Sequence, residues 1–184
     1  MGRSRSALLI IDMINALDFP EGPQLLRQAL PVARRIARLK QRLKDEGAAA
    51  IYVNDNFTHW QYEFREVVAI CSQEGVTGAP LARLLAPDTD DYTILKPQHS
   101  AFHDTPLQAL LRHLDIHRVI LTGISGDHCV LASAMDGHMR GLEVAVAQDC
   151  VASITRVRNR NALALLRTLP IEVATAARLS DRAD

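Results

Sequence analysis

Apolar runs of strand length alternate with helical patterns along this chain, and this alternation restricts its possible folds more than any other feature. The runs contain few polar residues, as in strands covered on both faces, and lie at Ala7–Ile11, Ala48–Val53, Tyr92–Leu95, Val119–Leu121, Val144–Ala147 and Ile171–Ala174. Strands that alternate with helices form parallel sheets through right-handed crossovers. We therefore predict an α/β fold, a three-layer α/β/α sandwich around a six-stranded, parallel, doubly wound sheet.

The intervening segments carry apolar stripes with helical spacing. One stripe ends before Gly47, a residue typical of helix ends, and consists of Val32, Ile36, Leu39 and Leu43. Similar stripes start at Leu107 and Ala162, and another helix is predicted from about Asp127 to Arg140. The irregular stretch Phe57–Pro87 is expected to hold a helix and a surface loop.

Composition indicates one domain over residues 1–184, which is long enough to bury a core. The formal net charge is zero, so no global field favours nucleic acid or a membrane surface as a partner. The three cysteines, an odd number without C-x-x-C spacing, argue against a disulfide framework and favour the cytoplasm. The apolar run at Ala7–Ile11 is too short for a signal peptide, and no stretch approaches a membrane span.

Three chemically reactive residues follow predicted strands: Asp12, Lys96 and Cys129. Functional residues of such sheets gather at the carboxyl ends of the strands, so we expect these three in one crevice. A helix opening near Ser125 or Asp127 would put Cys129 in its first turn, where free N–H groups and the helix dipole favour the thiolate. Asp12 could then take the thiol proton while Lys96 stabilises the anions.

Each of these residues also has a structural explanation. A lone cysteine is often a small buried hydrophobe, an aspartate after a strand can cap a helix, and a lysine can be a solvated loop residue. Their joint position at strand ends favours the catalytic interpretation.

Three separated motifs resemble the isochorismatase-like cysteine hydrolases, a superfamily that includes nicotinamidase and N-carbamoylsarcosine amidohydrolase. The resemblance runs from Leu8 to about Ser153, and the motifs are Leu8–Asn15 with Asp18 and Phe19, Leu95–Phe102 with Thr105–Leu107, and Thr122–Val130. It implies an Asp12–Lys96–Cys129 triad, a cis peptide at Ile124–Ser125 and an oxyanion hole formed by the backbone N–H groups of Ser125 and Cys129. It also implies a dimer or tetramer in which loops of one subunit close a neighbour's pocket.

The metal site of nicotinamidases is not matched. Those enzymes carry an Asp-x-His motif and a further histidine after the second strand. Here Asp55 is present, but Phe57 stands where the first histidine would be, and only His59 lies near. The segment Val53–Phe57 resembles instead a metal-free branch of the superfamily. We therefore expect no metal and no cofactor.

The resemblance implies hydrolysis of a C–N bond in a small amide or ureido-type substrate through a thioester. The alternatives are vinyl-ether hydrolysis of isochorismate, a phosphoacceptor receiver domain, and an idle family member that serves as an assembly module. Members that hydrolyse isochorismate lack the nucleophilic cysteine, so Cys129 favours acyl chemistry. A receiver domain usually carries two adjacent acidic residues after the first strand to bind magnesium, whereas here Met13 follows Asp12. A receiver function would also leave Cys129 without a role.

Residues in or beside the motifs are candidates for contacting a small-molecule substrate. The polar candidates are Asn15, Asn56 and Ser100, and the aromatic candidates are Phe19, Trp60 and Phe102. Core packing explains Phe19 and Phe102 equally well. Trp60 and Tyr62 begin an apolar group in Phe57–Pro87 that either forms a subunit interface or covers the protein's own core as a short helix.

Overall fold

A computed structural model describes residues 4–57 and 60–180. Six parallel strands form one sheet in the order β3-β2-β1-β4-β5-β6. The strands are β1 (Ser6–Ile11), β2 (Ala49–Asp55), β3 (Tyr92–Lys96), β4 (Arg118–Gly123), β5 (Glu143–Val151) and β6 (Glu172–Ala174). The predicted six-stranded parallel sheet is confirmed.

Helices cover both faces of this sheet. They are α1 (Gly22–Asp45), α2 (Phe64–Cys71), α3 (Ala79–Leu84), α4 (Leu107–His113), α5 (Leu131–Met139), α6 (Arg156–Leu166) and α7 (Ala176–Ser180). Leu8 and Ile10 of β1 pack in one core with α1, α2, α3 and α7, whereas Leu9 and Ile11 pack in the other with α4, α5 and α6. Because β1 is buried on both faces, its sequence is continuously apolar, and the three-layer sandwich is confirmed.

The strand order reverses at the β1–β4 pair, which lies at the centre of the sheet. Connections leave β1 and β4 in opposite directions at such a switch point, and a crevice opens beyond their carboxyl ends. Ile11 pairs with Gly123 at this edge. Asp12 and the segment that leads to Cys129 therefore emerge side by side.

Two elements differ from their predicted form. β5 continues beyond Ala147 to Val151, because a register shift between Leu121 and Gly123 lets it pair again after the polar residues Gln148 and Asp149. The helix predicted from Asp127 begins instead with a π-helical turn at Gly126–Val130, which leads into α5. Neither departure has a signal in the hydrophobic pattern.

The irregular stretch forms α2 and α3. Phe64, Val67 and Cys71 lie in the protein's own core, so the short-helix explanation holds for that part of the apolar group. Trp60 and Tyr62 remain exposed. No helix among residues 4–57 and 60–180 is both long and apolar enough to cross a membrane.

Gly123 should be intolerant of a side chain. Its φ is +116°, and a Cβ would lie 2.1 Å from the carbonyl oxygen of Ile11. Gly141 has a similar φ of +81° with nothing within 4 Å of its Cβ position, so it serves as a matched control. We expect Gly141→Ala to lower the free energy of unfolding by about 1 kcal/mol and Gly123→Ala to lower it by more than about 3 kcal/mol. Urea denaturation measures both, and equal losses would contradict the proposed clash.

Candidate active site

Asp12 directly follows β1 in a left-handed conformation, with φ 54°. Its N–H donates to the carbonyl oxygen of Val53 at 3.0 Å. Its Oδ1 accepts a hydrogen bond from the N–H of Asp55 at 2.7 Å. The carboxylate is thus held between the ends of β1 and β2 and is almost fully buried. It does not cap a helix.

Lys96, the last residue of β3, is 0% exposed. Its Nζ lies 3.0 Å from Asp12 Oδ2, contacts Asp55 Oδ1, and lies 3.6 Å from Cys129 Sγ. Two strand spacings, about 10 Å, separate β3 from β1, so a long side chain is needed to connect them. A buried ammonium requires such partners, and Lys96 is therefore not a solvated loop residue.

Cys129 lies in the π-helical turn, and contacts with the loop after β5 hold this turn. The carbonyl oxygen of Ser125 accepts hydrogen bonds from the N–H groups of His128 and Val130 at 3.1 and 3.2 Å. The N–H of Gly126 donates to the carbonyl oxygen of Ala152 at 2.8 Å. The preceding Ile124–Ser125 peptide bond is cis, as the resemblance implies.

The charge state of Cys129 differs from the sequence-based expectation. Burial, followed by the negative charge of Asp12, raises the pKa of its thiol well above the ordinary value, although Lys96 acts in the opposite direction. Desolvation therefore outweighs the position near a helix start. The resting group is a thiol.

The other two charges complement this state. Burial, with a contribution from Asp55, raises the pKa of Asp12 from 3.8 to about 6, against the opposing effect of Lys96. Asp12 is therefore mostly ionised at neutral pH, yet it is a stronger base than an ordinary aspartate. Burial acts to lower the pKa of Lys96, but Asp12, Cys129 and Asp55 raise it overall, so Lys96 remains charged.

Comparison with known proteins identifies the family. The Isochorismatase domain family matches residues 6–178. The chain belongs to the isochorismatase family. It is 34% identical over 169 residues to the uncharacterized isochorismatase family protein YaaI of Bacillus subtilis, covering 92% of each chain.

The chain is also similar to a characterised enzyme and to a solved structure. It is 28% identical over 153 residues to maleamate amidohydrolase of Pseudomonas putida, covering 80% of this chain and 72% of that protein. The crystal structure of an isochorismatase family protein from Desulfovibrio vulgaris has the same fold, with a TM-score of 0.80 and 22% identity over 97% of this chain and 98% of that one. The chain is therefore a hydrolase of the isochorismatase family, which includes amidohydrolases, and the receiver-domain alternative is wrong.

Asp55, which the sequence indicated only as the remnant of a metal motif, is part of the site. The ligand atoms of Asp12, Asp55 and Cys129 lie within 4.8 Å of one another, a spacing that could suit a metal ion. However, the ammonium of Lys96 contacts all three groups and occupies the place that a cation would take. This geometry supports the prediction of no metal. His59 lies outside the described residues.

Four of the predicted substrate contacts follow β1 or β2 at this edge of the sheet. Asn15 accepts a hydrogen bond from the N–H of Leu17 at 2.8 Å through its Oδ1. Asn56 is buried, and its Oδ1 accepts from the N–H of Trp60 at 3.0 Å. Phe19 and Trp60 are exposed, Trp60 at 67%. Their contact with substrate stays a prediction.

Ser100 and Phe102 pack against α5. The hydroxyl of Ser100 donates to Asp136 Oδ2 at 2.7 Å. Phe102 is buried in the same core as Cys129, with the guanidinium of Arg140 5.4 Å from its ring centroid. Core packing thus accounts for the position of Phe102, and a substrate contact by either residue stays a prediction.

The role of Asn54 in holding the segment after Asp12 was not predicted from the sequence. This buried residue donates through Nδ2 to the carbonyl oxygen of Ile14 at 2.7 Å and accepts the N–H of Ile14 at 3.1 Å through Oδ1. It thereby holds the segment that follows Asp12 against β2. A polar side chain inside an otherwise apolar strand was the available signal.

Asp55→Asn should make Cys129 easier to ionise, because the charge of Asp55 helps to raise the pKa of that thiol. We expect iodoacetamide to alkylate Cys129 severalfold faster than in the wild type at the same pH. Peptide mass spectrometry over a pH series measures the rate. Asp90→Asn is the matched control, since Asp90 pairs with Lys44 away from the site. An unchanged or slower rate in Asp55→Asn would contradict the electrostatic role.

Proposed function

We propose that this protein cleaves a C–N bond of a small amide or ureido-type substrate through a thioester intermediate. The observation that carries the proposal is the position of the Lys96 ammonium, in contact with both the Asp12 carboxylate and the Cys129 thiol. Base, cation and thiol meet at the switch point of the sheet, where ligands bind in folds of this kind.

In the first step, Asp12 accepts the proton of Cys129, whose Sγ lies within 4.8 Å of an Asp12 carboxylate oxygen. The thiolate attacks the carbonyl carbon of the substrate, and a C–S bond forms as the carbonyl oxygen becomes an oxyanion. Lys96 stabilises the thiolate while it exists. Because the resting group is a thiol, proton transfer accompanies attack instead of preceding substrate binding.

The N–H groups of Ser125 and Cys129 hold the oxyanion, an interaction usually worth about 3–4 kcal/mol per donor. The position of Cys129 in the π-helical turn that opens α5 supports this assignment, since N–H groups at a helix start point away from the helix. When the oxyanion collapses, the C–N bond breaks and Asp12 returns its proton to the leaving nitrogen. Asp12 then takes a proton from water as the water oxygen attacks the thioester carbon. The C–S bond breaks, the carboxylic acid is released, and Asp12 returns the proton to the sulfur of Cys129.

Amide chemistry is favoured over the two alternatives that remain. Vinyl-ether hydrolysis needs no nucleophilic thiol, whereas Cys129 lies beside a base and a cation. An idle assembly module would have no need of the buried charges of Asp12 and Lys96, because burying charges is costly without a use for them. Similarity to a maleamate amidohydrolase supports an amide substrate. The mechanism needs no metal and no cofactor.

A screen of primary amides and ureido compounds that measures released ammonia tests this function. We expect turnover of at least one compound by the wild type and loss of turnover, by about a thousandfold or more, in Cys129→Ala and Cys129→Ser. Cys71→Ala is the matched control, since this buried thiol lies in the opposite core and should be dispensable for turnover. Activity retained in Cys129→Ala, with a native circular dichroism spectrum, would exclude the thioester.

We also propose that the protein is a cytoplasmic homo-oligomer, a dimer or tetramer. All three cysteines are free thiols, which supports a reducing compartment. An aromatic surface patch beside the end of β2 supports assembly and consists of Phe57 (38% exposed), Trp60 (67%) and Tyr62 (43%). Aromatic residues of this kind are enriched at protein interfaces.

Light scattering should give at least twice the chain mass of 20.3 kDa. We expect Trp60→Ala/Tyr62→Ala to shift the population towards monomer, because the patch loses most of its apolar area. Met139→Ala is a control, since Met139 is exposed at 75% on α5. A wild-type protein that is monomeric at micromolar concentration would refute the assembly.

A further inference from the structure

A cleft separate from the triad lies over the carboxyl end of β5, between α1 and α6. Its volume is about 510 Å³, within the range of small-molecule sites. None of Asp12, Lys96 and Cys129 lines it. It opens on the same edge of the sheet as the triad, which is the edge where α/β folds bind ligands.

Positive charge dominates the lining of this cleft. Four arginines, Arg35, Arg156, Arg160 and Arg167, face a single acid, Asp149. The whole chain balances 21 basic residues against 21 acidic ones, so this is a local excess. Four guanidinium groups that share one cleft repel each other, and a bound anion would relieve that repulsion.

Two of these arginines are already paired, and two are available for a ligand. The paired ones are Arg35, which donates to the carbonyl oxygen of Asp149 at 3.4 Å, and Arg167, which donates to Gln148 Oε1 at 2.5 Å. Arg156 and Arg160, by contrast, form no hydrogen bond or ion pair through their side chains with any residue in 4–57 or 60–180. They lie four residues apart on α6, so they share one face of that helix.

We propose that this cleft binds a small polyanion, held mainly by Arg156 and Arg160. Guanidinium groups bind phosphate and carboxylate oxygens through paired, charge-assisted hydrogen bonds, so phosphate and polycarboxylate ligands share the required chemistry. The volume of the cleft accommodates a molecule of the size of pyrophosphate or citrate.

The floor of the cleft also supports the nucleophile. Ala152 and Ser153 line the cleft, and they accept hydrogen bonds from the N–H groups of Gly126 and Asp127 at 2.8 and 3.2 Å. Asn159, another lining residue, donates to the carbonyl oxygen of Val151 at 3.2 Å. A polyanion bound here therefore contacts the segment that holds the turn of Cys129.

Isothermal titration calorimetry at low ionic strength with pyrophosphate and with citrate tests the proposal. We expect saturable binding of at least one probe by the wild type. Arg156→Gln/Arg160→Gln should weaken this binding by about tenfold or more, as expected for the loss of charge-assisted hydrogen bonds. Tighter binding of pyrophosphate identifies a phosphate ligand, and tighter binding of citrate a carboxylate ligand.

Arg27→Gln/Arg34→Gln is the matched control, because it removes the same charge from exposed positions on α1 outside the cleft. It should retain the wild-type affinity. Hydrogen exchange should slow on ligand addition in residues 148–160 and around Gly126. No saturable binding by the wild type, equal weakening in both double variants, or protection confined to other segments would overturn the proposal. Circular dichroism confirms the fold of each variant, and single substitutions at Arg156 and Arg160 replace the double variant if it does not fold.

Discussion

The buried ammonium of Lys96 is the interaction on which the rest of the site depends. It contacts Asp12, Asp55 and Cys129, which come from the ends of β1 and β2 and from the turn before α5. Without this cation, the buried carboxylate of Asp12 would lie unpaired beside the partly exposed carboxylate of Asp55, and an unpaired buried charge costs about 3–5 kcal/mol. The parallel sheet makes the contact possible, because it brings the carboxyl ends of its strands to one edge. The side chain of Lys96 thus connects the strand ends and balances the charges of the site.

The same cluster explains why the pKa of the Cys129 thiol is raised. Burial penalises a further negative charge beside Asp12 and Asp55, and this effect outweighs the attraction of Lys96, so the pKa of the Cys129 thiol is raised. The raised pKa of Asp12, about 6, makes this carboxylate a useful proton acceptor near neutral pH. A position near a helix start would favour the thiolate in an exposed cysteine. Here desolvation is the larger effect, and the proposed mechanism therefore assigns the thiol proton to Asp12.

The turn around Cys129 depends on β5 as much as on its own sequence. The register shift between Leu121 and Gly123 lets β5 continue to Val151, and the loop beyond it accepts the N–H groups of Gly126 and Asp127. A Cβ on Gly126 would lie 2.3 Å from Asn159 Oδ1 and 2.6 Å from Val151 Cγ1, so this close packing requires glycine. Val151, Ala152, Ser153 and Asn159 also line the arginine-rich cleft between α1 and α6. The turn that holds Cys129 and the proposed anion site therefore share one set of backbone contacts.

Six strands, their parallel arrangement and the positions of Asp12, Lys96 and Cys129 after strands could be predicted from the sequence. These features follow from hydrophobic periodicity and from the motifs, which are local in the chain. The folded structure was needed to show that Asp55 contacts Lys96 and that Asn54 holds the segment after Asp12. It was also needed to show that burial raises the pKa of the Cys129 thiol. Contacts between residues some 40 positions apart, and the burial that shifts a pKa, arise only when separate strands are brought together. The local pattern of a chain records which residues are apolar, but not which charges will share a buried site.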